Sequence, residues 1–388
     1  MSNNGNNQLT HITGTFLIHA EGSFLNGAGL DTSGEFRNFV LPKTYSDGRN
    51  RVPYVSSQAW RRWLRTTFRD ENPNEPAAEI KVLSKNAKGN PDKIGTQMNP
   101  IEFVEDDIFG YMRAAQGQGR AKETEASEDD LALELDAEEA VEDSEPKSKK
   151  KSKTERVSSV MRPSPFSSSI LKSLRNSGWQ GDDEGYVHLK EGTPLPYKTR
   201  FYNTHLQGVF GLNYARLGVF RNEGDRVELD EALVKQYLAE NKIRANEKNE
   251  NVYEVIDNKR SDRAAMILRA LSILRGGAKQ AQFGTDVAPK AIIIAGLNCG
   301  NLIFNDLFEE KDGMPTIKLG ALKETIEDYR RRLATSVFIG VRDGYLHSQN
   351  ETDLRSWAGN GQMNGSNVRV SSPITAVESL IEQLNQAV

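Results

Sequence analysis

The order of secondary-structure patterns along the chain predicts an α+β fold with a ferredoxin-like arrangement. Residues 10–20 (THITGTFLIHA) are rich in β-branched and aromatic side chains, which is typical of a strand. Helical spacing of apolar residues follows at 54–68, strand patterns at 206–220, an amphipathic helix at 261–274 and a buried strand at 290–297. Strand, helix, strands, helix, strand is the ferredoxin-like order.

The first helix is predicted from its cap and its apolar stripe. Ser56 or Ser57 can accept a hydrogen bond from the first helical turn, and Trp60, Leu64 and Phe68 fall on one face. Trp63 lies close to that stripe, and we interpret these aromatic residues as core rather than as platforms for nucleic-acid bases. The pattern at 206–220 fits one strand or a bent pair of strands.

The remaining quarter of the chain predicts further elements attached to the same subunit. A third helix is expected at 319–333, a short strand at 336–341 and a closing helix at 373–386. We therefore interpret residues 1–388 as a single elaborated subunit, with 298–388 as a C-terminal helical and strand elaboration.

Residues 115–154 interrupt this pattern with low-complexity sequence. Between Glu123 and Glu145 there are twelve acidic residues and no lysine or arginine, and a lysine-rich run follows. Such segregated charge without aromatic residues predicts a disordered insert. It serves either as a solvated tether or as an acidic segment that competes with nucleic acid for a basic surface. Outside the acidic stretch the chain has net positive charge, which permits nucleic-acid binding.

The sequence lacks the motifs that are typical of several function classes. Cys299 is the one cysteine, and the five histidines show no ligand spacing, so we expect no metal site and no cofactor. No Walker phosphate loop occurs, and no carboxylate pair stands out, so we do not expect an enzyme. The first eight residues lack a signal sequence and no apolar run is long enough to span a membrane, so we expect a cytoplasmic protein without membrane partners.

The first helix carries a basic face. Arg61, Arg65 and Arg69 lie at i, i+4 spacing, on the side opposite much of the apolar stripe. A row of guanidinium groups matches a phosphate backbone, and the helix N-terminus is itself a favourable anion site. The alternative is an ordinary solvated helix face. Basic residues also precede this helix, on a glycine-containing loop: Lys43, Arg49 and Arg51.

A second basic segment, residues 275–280 (RGGAKQ), follows the second helix. It is either part of the same anion-binding surface or a simple glycine cap of that helix.

Four motifs together resemble a known family. They are GSFLNGAG (22–29), RVPYVSSQAWRRWLR (51–65), DDIFGYM (106–112) and GGAKQ (276–280) before a PKAIII strand. In this order they resemble the backbone subunits of type I CRISPR Cascade complexes, the CRISPR-associated protein seven family, especially the DevR branch of type I-B systems. The resemblance covers residues 10–297.

This resemblance implies a modified RRM-like palm with finger and thumb insertions, repeated as a helical filament along a guide RNA and without catalysis of its own. Ser56, Gln58, Arg61 and Arg65 would hold guide phosphates, and Gly110, Tyr111 and Met112 would approach the RNA backbone closely. The full set of candidate RNA-binding residues is Asn26, Lys43, Arg49, Arg51, Ser56, Gln58, Arg61, Arg62, Arg65, Gly110, Tyr111, Met112, Arg113 and Lys279.

The family's thumb, which wedges between bases, would correspond to residues 163–204. Phe166, Ile170 and Leu171 are the candidate wedges. The aromatic motifs of an ordinary RRM are not evident, so recognition is expected through phosphates and shape rather than base edges.

The resemblance also implies partners. These are the guide CRISPR RNA, target DNA, further copies of the chain, the subunit that caps the guide 5′ end, the large subunit and the guide-processing endonuclease. Two alternatives stay open. One is a type III-like backbone subunit that cleaves target RNA, with Asp31 in the loop after the first strand. The other is a stand-alone RNA-binding regulatory protein that forms no filament.

Overall fold

The structure is a computed structural model that describes residues 8–30, 39–48, 50–79, 81–85, 91–113, 159–175, 181–187, 195–224, 226–256, 260–359 and 368–386. Two compact units are present. Unit 1 comprises Met1–Pro73, Phe166–Ala215 and Ala264–Val388, and unit 2 comprises Asn74–Pro165 and Arg216–Arg263. The predicted disordered insert, 115–154, lies outside the described residues.

Both units contain strands and helices. The strands are β1 (His11–Ser23), β2 (Gly27–Leu30), β3 (Phe39–Pro42), β4 (Thr44–Asp47), β5 (Asn50–Val55), β6 (Lys81–Lys85), β7 (Pro91–Gly95), β8 (Tyr111–Arg113), β9 (Val160–Arg162), β10 (Phe166–Ser168), β11 (Leu171–Ser173), β12 (Gly181–Val187), β13 (Leu195–Leu212), β14 (Val219–Glu223), β15 (Arg226–Val227), β16 (Ile243–Asn246), β17 (Asn249–Val255), β18 (Ala291–Leu297), β19 (Phe308–Lys311), β20 (Met314–Ile317), β21 (Val337–Val341) and β22 (Val368–Ser371). The helices are α1 (Ser57–Glu71), α2 (Val104–Phe109), α3 (Glu231–Ala239), α4 (Arg260–Ser272), α5 (Gln280–Phe283), α6 (Leu319–Asp328), α7 (Ser348–Gly359) and α8 (Pro373–Gln386).

The centre of unit 1 is an antiparallel sheet in the order β18-β1-β13-β11. Along the chain, α1 connects β1 to β10 and β11, and α4 lies between β13 and β18. Numbered as four core strands, the spatial order is 4-1-3-2, which is the ferredoxin-like and RRM-like arrangement. The predicted α+β fold class is confirmed.

Both faces of this sheet are covered. Phe16 of β1 packs edge-on against Trp60 of α1, with ring centroids 5.5 Å apart. Because successive strand side chains point to opposite faces, Leu17 lies on the other face. There it joins a buried cluster with Phe304, Leu322 and other residues of the C-terminal region. Burial on two sides explains why β18 is apolar at every position and why most residues of β1 are buried.

Helix α1 forms where the sequence predicts it. The Ser56 side chain accepts a hydrogen bond from the Ala59 backbone N–H at 3.4 Å, so Ser56 is the N-cap. Trp60, Leu64 and Phe68 are buried, which leaves the arginine-bearing side of the helix toward the surface.

The C-terminal elaboration extends the central sheet. β21 pairs with β18, and β22 pairs in parallel with β21. Helix α8 has the predicted bounds, whereas α6 ends at Asp328, before the predicted Leu333. The chain turns there because Asn298 N–H donates to Arg332 O at 2.9 Å and Leu333 bridges Leu297.

The pattern at 206–220 contains two strands that belong to different units. β13 ends at Leu212, a short 3-10 turn follows at Tyr214–Arg216, and β14 begins at Val219. The prediction of a bent pair is therefore nearer to the structure than a single strand.

Unit 2 is made of two insertions into the ferredoxin-like order, one after α1 and one after β13. Its sheet has the order β16-β17-β14-β15-β9-β8, and Phe220, Leu229 and Tyr237 belong to its apolar cluster. Within it, the fully buried Asp107 pairs with Arg162 and Arg263, which are also fully buried. Glu228 accepts from Arg162 as well. No helix among the described residues is long and apolar enough to cross a membrane.

Candidate nucleic-acid interface

The basic side of α1 carries four of the predicted phosphate ligands: Gln58, Arg61, Arg62 and Arg65. Spacings of three and four residues place them on one side of the helix. Arg62 is exposed, whereas Arg61 and Arg65 are half-buried. The prediction of a contiguous basic face on α1 therefore agrees with the geometry of the helix.

Arg61 also holds the helix to the sheet. One Arg61 Nη1–H donates to the carbonyl of Phe166 at 2.7 Å, and the guanidinium lies 5.9 Å from the centre of the Phe166 ring. The same Nη1 lies 3.5 Å from Ser168 Oγ. Arg61 is thus fixed in direction by β10.

Three predicted segments meet at the N-terminus of α1. Asn26, in the loop after β1, accepts with its side-chain oxygen from the Ser56 backbone N–H at 3.0 Å. Its own backbone carbonyl accepts from the Lys43 N–H at 2.8 Å, and the Lys43 carbonyl accepts from the Tyr54 N–H at 3.1 Å. Asn26 is only 9% exposed. Its observed contacts are those of a residue that positions Ser56 and Lys43 beside each other.

The fourth segment, RGGAKQ, adjoins the same region. The Ala278 N–H donates to the Leu25 carbonyl at 2.9 Å, one residue before Asn26. Gly276 has φ +146° and lies against the Trp63 ring so closely that a Cβ would overlap it. The segment therefore docks on α1 and on the loop after β1, beyond what a simple helix cap requires.

Lys279 is held by the side chains around it. It has a left-handed backbone (φ 53°), and its Nζ donates to Thr199 Oγ1 at 2.8 Å. The rings of Tyr197 and Phe24 lie 4.7 and 5.7 Å from Nζ. Desolvation by burial lowers the pKa of Lys279. Sequence reasoning missed Tyr197 and Thr199, although the strand pattern around them could have identified both as neighbours of the central sheet.

Of two further basic candidates, Arg51 and Arg49, the structure describes only Arg51. Arg51 is exposed on β5, which pairs with β4 next to Lys43. Arg49 lies outside the described residues, so its contribution stays a prediction.

The DDIFGYM residues belong to unit 2, where most of them have structural contacts. Gly110 has φ +74°, and a Cβ there would lie 2.5 Å from the Arg162 carbonyl oxygen. Tyr111 is buried and its hydroxyl donates to the Glu228 carbonyl. Met112 is 36% exposed, and Arg113 pairs with Asp230 at 2.8 Å. The close approach expected of Gly110 is thus made to the protein's own backbone.

The expectation for the base wedges needs correction at two of three positions. Phe166 is 1% exposed and stacks on Phe210, and Leu171 is fully buried. Phe166 lies in β10 and Leu171 in β11, and both strands pair with β13, so neither side chain can insert between bases from this position. Ile170, at 41% exposure, lies between β10 and β11 and stays a candidate. Residues 181–187 and 195–201 of the predicted thumb form an antiparallel pair, β12 with the first part of β13.

The alternative of metal-dependent cleavage depends on Asp31, which lies outside the described residues. Among the residues that the structure does describe, no group of three or more His, Cys, Asp or Glu side chains is placed to hold a metal ion.

Comparison with known proteins gives fold-level similarity only. No protein-family model matches the sequence, and no curated protein matches it. Among solved structures, the chain is similar to one described as a CRISPR RNA-guided surveillance complex, with 12% identity, a TM-score of 0.41, and coverage of 97% of this chain and 100% of that chain. It is also similar to a chain described as a CRISPR RNA-guided surveillance complex, pre-nicking, with 12% identity, a TM-score of 0.46, and coverage of 96% and 100%. Both TM-scores are below 0.5, and these similarities support no functional conclusion.

Proposed function

We propose that this chain is a multi-copy backbone subunit of a CRISPR RNA-guided, DNA-targeting Cascade complex, and that unit 1 binds the phosphate backbone of the guide RNA. One observation carries the proposal. Three separate segments that carry the motif resemblance, around Asn26, Ser56 and Lys279, meet around α1 together with Lys43.

Electrostatics supports phosphate as the ligand of this surface. Lys43, Arg51 and Arg62 bring positive charge to one region, and the first N–H groups of α1 add donors there. Phosphate contacts give affinity without reading sequence. A subunit that holds only the backbone leaves base edges free to pair with target DNA, so sequence specificity belongs to the guide.

The proposal includes no catalytic step for this chain. Its partners would be the guide CRISPR RNA, target DNA, further copies of itself, and the other Cascade subunits that cap the guide, contact the target and process the guide. Cleavage of the target would then belong to another component.

Charge reversal on exposed residues tests the phosphate surface. We choose Arg51→Glu/Arg62→Glu and leave Arg61 intact, because Arg61 also binds Phe166. Affinity for single-stranded repeat–spacer RNA, measured by fluorescence anisotropy, should fall at least about tenfold, and the slope of log K against log salt should become shallower by roughly 1.4, about 0.7 for each lost phosphate contact.

The matched control is Lys235→Glu/Arg331→Glu, which makes the same change in net charge at two exposed positions outside this surface. It should leave the salt slope nearly unchanged. Equal losses in the two double variants would show that RNA binding is not localised at α1.

A further inference from the structure

A cavity of about 780 Å³ lies at one end of the central strands of unit 1. It is formed by the ends of β1 and β18, the middle of β13, the β19–β20 turn and the loop after β21. The candidate phosphate surface on α1 does not include these residues.

The cavity and α1 belong to opposite faces of the sheet. His19 has the same parity on β1 as Leu17, whereas Phe16, which packs on Trp60, has the other parity. His205 is the direct cross-strand partner of His19 on β13. The cavity therefore lies on the face away from α1, where the C-terminal elements leave part of the sheet uncovered.

Three aromatic side chains line it. The His19 and His205 rings are stacked, with centroids 4.9 Å apart and an interplanar angle of 17°. Tyr345 lies edge-on to His205, and its hydroxyl is 2.9 Å from His205 Nδ1. Burial raises the pKa of Tyr345, so its hydroxyl stays protonated and takes part in this hydrogen bond. The Tyr345 contact therefore fixes the orientation of the His205 ring.

This arrangement makes His19 the outer ring of a fixed stack. His205 is 5% exposed, whereas His19 is half-buried, and within the described residues His19 has no hydrogen-bond partner. A planar ligand in the cavity can therefore extend the stack from the His19 side. Sheets of this topology bind single-stranded nucleic acid by stacking bases on aromatic side chains of the sheet.

The charged side chains of the cavity restrict further which class of ligand it can bind. Lys290 pairs with Asp286, and Arg175 pairs with Glu310 at 3.0 Å. Arg342 also lines the cavity and is exposed, and in the described part of the chain its side chain has no ion-pair partner. Asp286, which pairs with Lys290, also lies close enough to interact electrostatically with Arg342. Arg342 therefore has charge for at most one phosphate diester. The acidic side chains of Glu21 and Asp343 at the same cavity disfavour a polyphosphate.

We propose that this cavity binds a nucleobase of single-stranded nucleic acid, stacked on His19, with the adjoining phosphate at Arg342. This second site lies on the face away from α1 and does not depend on the proposed guide-binding role of that helix. It adds base stacking to the expected recognition through phosphates and shape.

The probe is a short single-stranded oligonucleotide with one central 2-aminopurine, whose fluorescence is quenched when the base stacks. The full chain should quench it. His19→Ala should remove the quenching and weaken binding by about 5- to 100-fold, the range for loss of one stacked base. His19→Phe retains an aromatic ring and should keep the quenching, which separates loss of stacking from loss of folding.

The control variant is His11→Ala, at the other end of β1 and outside the cavity. It should bind the probe and quench its fluorescence as the unmodified chain does. Arg51→Glu/Arg62→Glu should leave both the quenching and its dependence on protein concentration unchanged, because neither residue lines the cavity, so failure of this site is distinguishable from failure of the α1 surface.

Ribose and deoxyribose probes should be quenched alike, because the proposed contacts involve only base and phosphate. The proposal is wrong if the unmodified chain does not quench the probe or if His19→Ala quenches as His11→Ala does. Quenching confined to the ribose probe would also contradict it.

Discussion

Adjacent arginines on α1 have different surroundings. Arg61 donates to the Phe166 carbonyl, and its position is set by the strand beneath it. Arg62 is exposed and keeps its full set of donors at the surface. In the proposed function, Arg61 is a pre-oriented ligand, whereas Arg62 contributes charge and pays side-chain entropy when it orders on RNA. This difference is set by tertiary contacts and is not visible in the arginine spacing.

His205 predicts a pH dependence of stability. Burial, and to a smaller degree the nearby His19 and Arg175, lower the pKa of His205 to about 4, against 6.5 for an unperturbed histidine. Below pH 6.5 the unfolded chain binds a proton that the folded chain does not. Stability should therefore fall between pH 6.5 and pH 4, by on the order of 3 kcal/mol from this group.

Urea unfolding of the unmodified chain and of His205→Gln, compared at pH 7 and pH 4.5, measures this contribution. The variant should lose less stability over that interval, because glutamine does not titrate. Equal losses in both proteins would show that His205 is not held neutral by burial.

Asp107 is a second residue whose role comes from its surroundings. Burial alone would raise its pKa, but Arg162 and Arg263 outweigh burial and lower the pKa. Asp107→Asn would leave two fully buried guanidiniums without this counter-charge, so we expect a loss of about 3 to 5 kcal/mol in the stability of unit 2. Hydrogen exchange of unit 2 amides measures this loss.

Asp230→Asn is the control for Asp107→Asn. It removes a partly exposed pair with Arg113, for which about 1 kcal/mol or less is expected. Comparable losses in the two variants would contradict the assignment of Asp107 as the centre of the buried network.

At the scale of elements, the periodicity of apolar residues was sufficient to predict the core of the fold. β1, α1, α4, β18, β21 and α8 were all predicted, because each has one apolar pattern that is buried in the way its period requires. The order of these elements is enough to specify the ferredoxin-like arrangement of the sheet.

Prediction failed where contacts between distant segments decide an element. Phe166 and Leu171 look like exposed wedges in isolation, but pairing of β10 and β11 with β13 buries them. Gly110 of DDIFGYM lies against the Arg162–Ser164 backbone, and its approach to RNA stays a prediction. At the candidate site, the basic composition of α1 was predictable from the sequence. The positioning role of Asn26 was not, because its side-chain amide forms a hydrogen bond with Ser56, which is far along the chain.

Docking of the RGGAKQ segment on α1 gives a prediction at this scale. Gly276→Ala would place a Cβ against Trp63 at a backbone φ of +146°, so we expect a loss of about 1 to 3 kcal/mol and weaker RNA binding. Denaturant unfolding and RNA anisotropy measure the two effects.

Gly320→Ala is the matched control. Gly320 lies in α6, and no atom would come within 4 Å of its added Cβ. Alanine there should be neutral or stabilising by up to about 1 kcal/mol. A Gly276 variant that is as stable as the Gly320 variant would show that the segment does not depend on this close packing.

For the whole molecule, weak single contacts become useful through repetition. A few phosphate contacts per copy bind weakly at physiological salt, whereas many copies on one RNA bind with high avidity. The acidic residues between Glu123 and Glu145 would limit binding of isolated copies to random RNA if they compete for the same basic surface.

The central claim is that copies of this chain assemble along a guide RNA. The most direct test is co-expression with a repeat–spacer RNA, followed by mass measurement of the purified complex before and after ribonuclease treatment. We predict an RNA-protecting multimer whose mass increases when the spacer is lengthened, and which Arg51→Glu/Arg62→Glu prevents from forming. A monomer whose mass is the same with and without the RNA would contradict this account and favour a stand-alone RNA-binding protein.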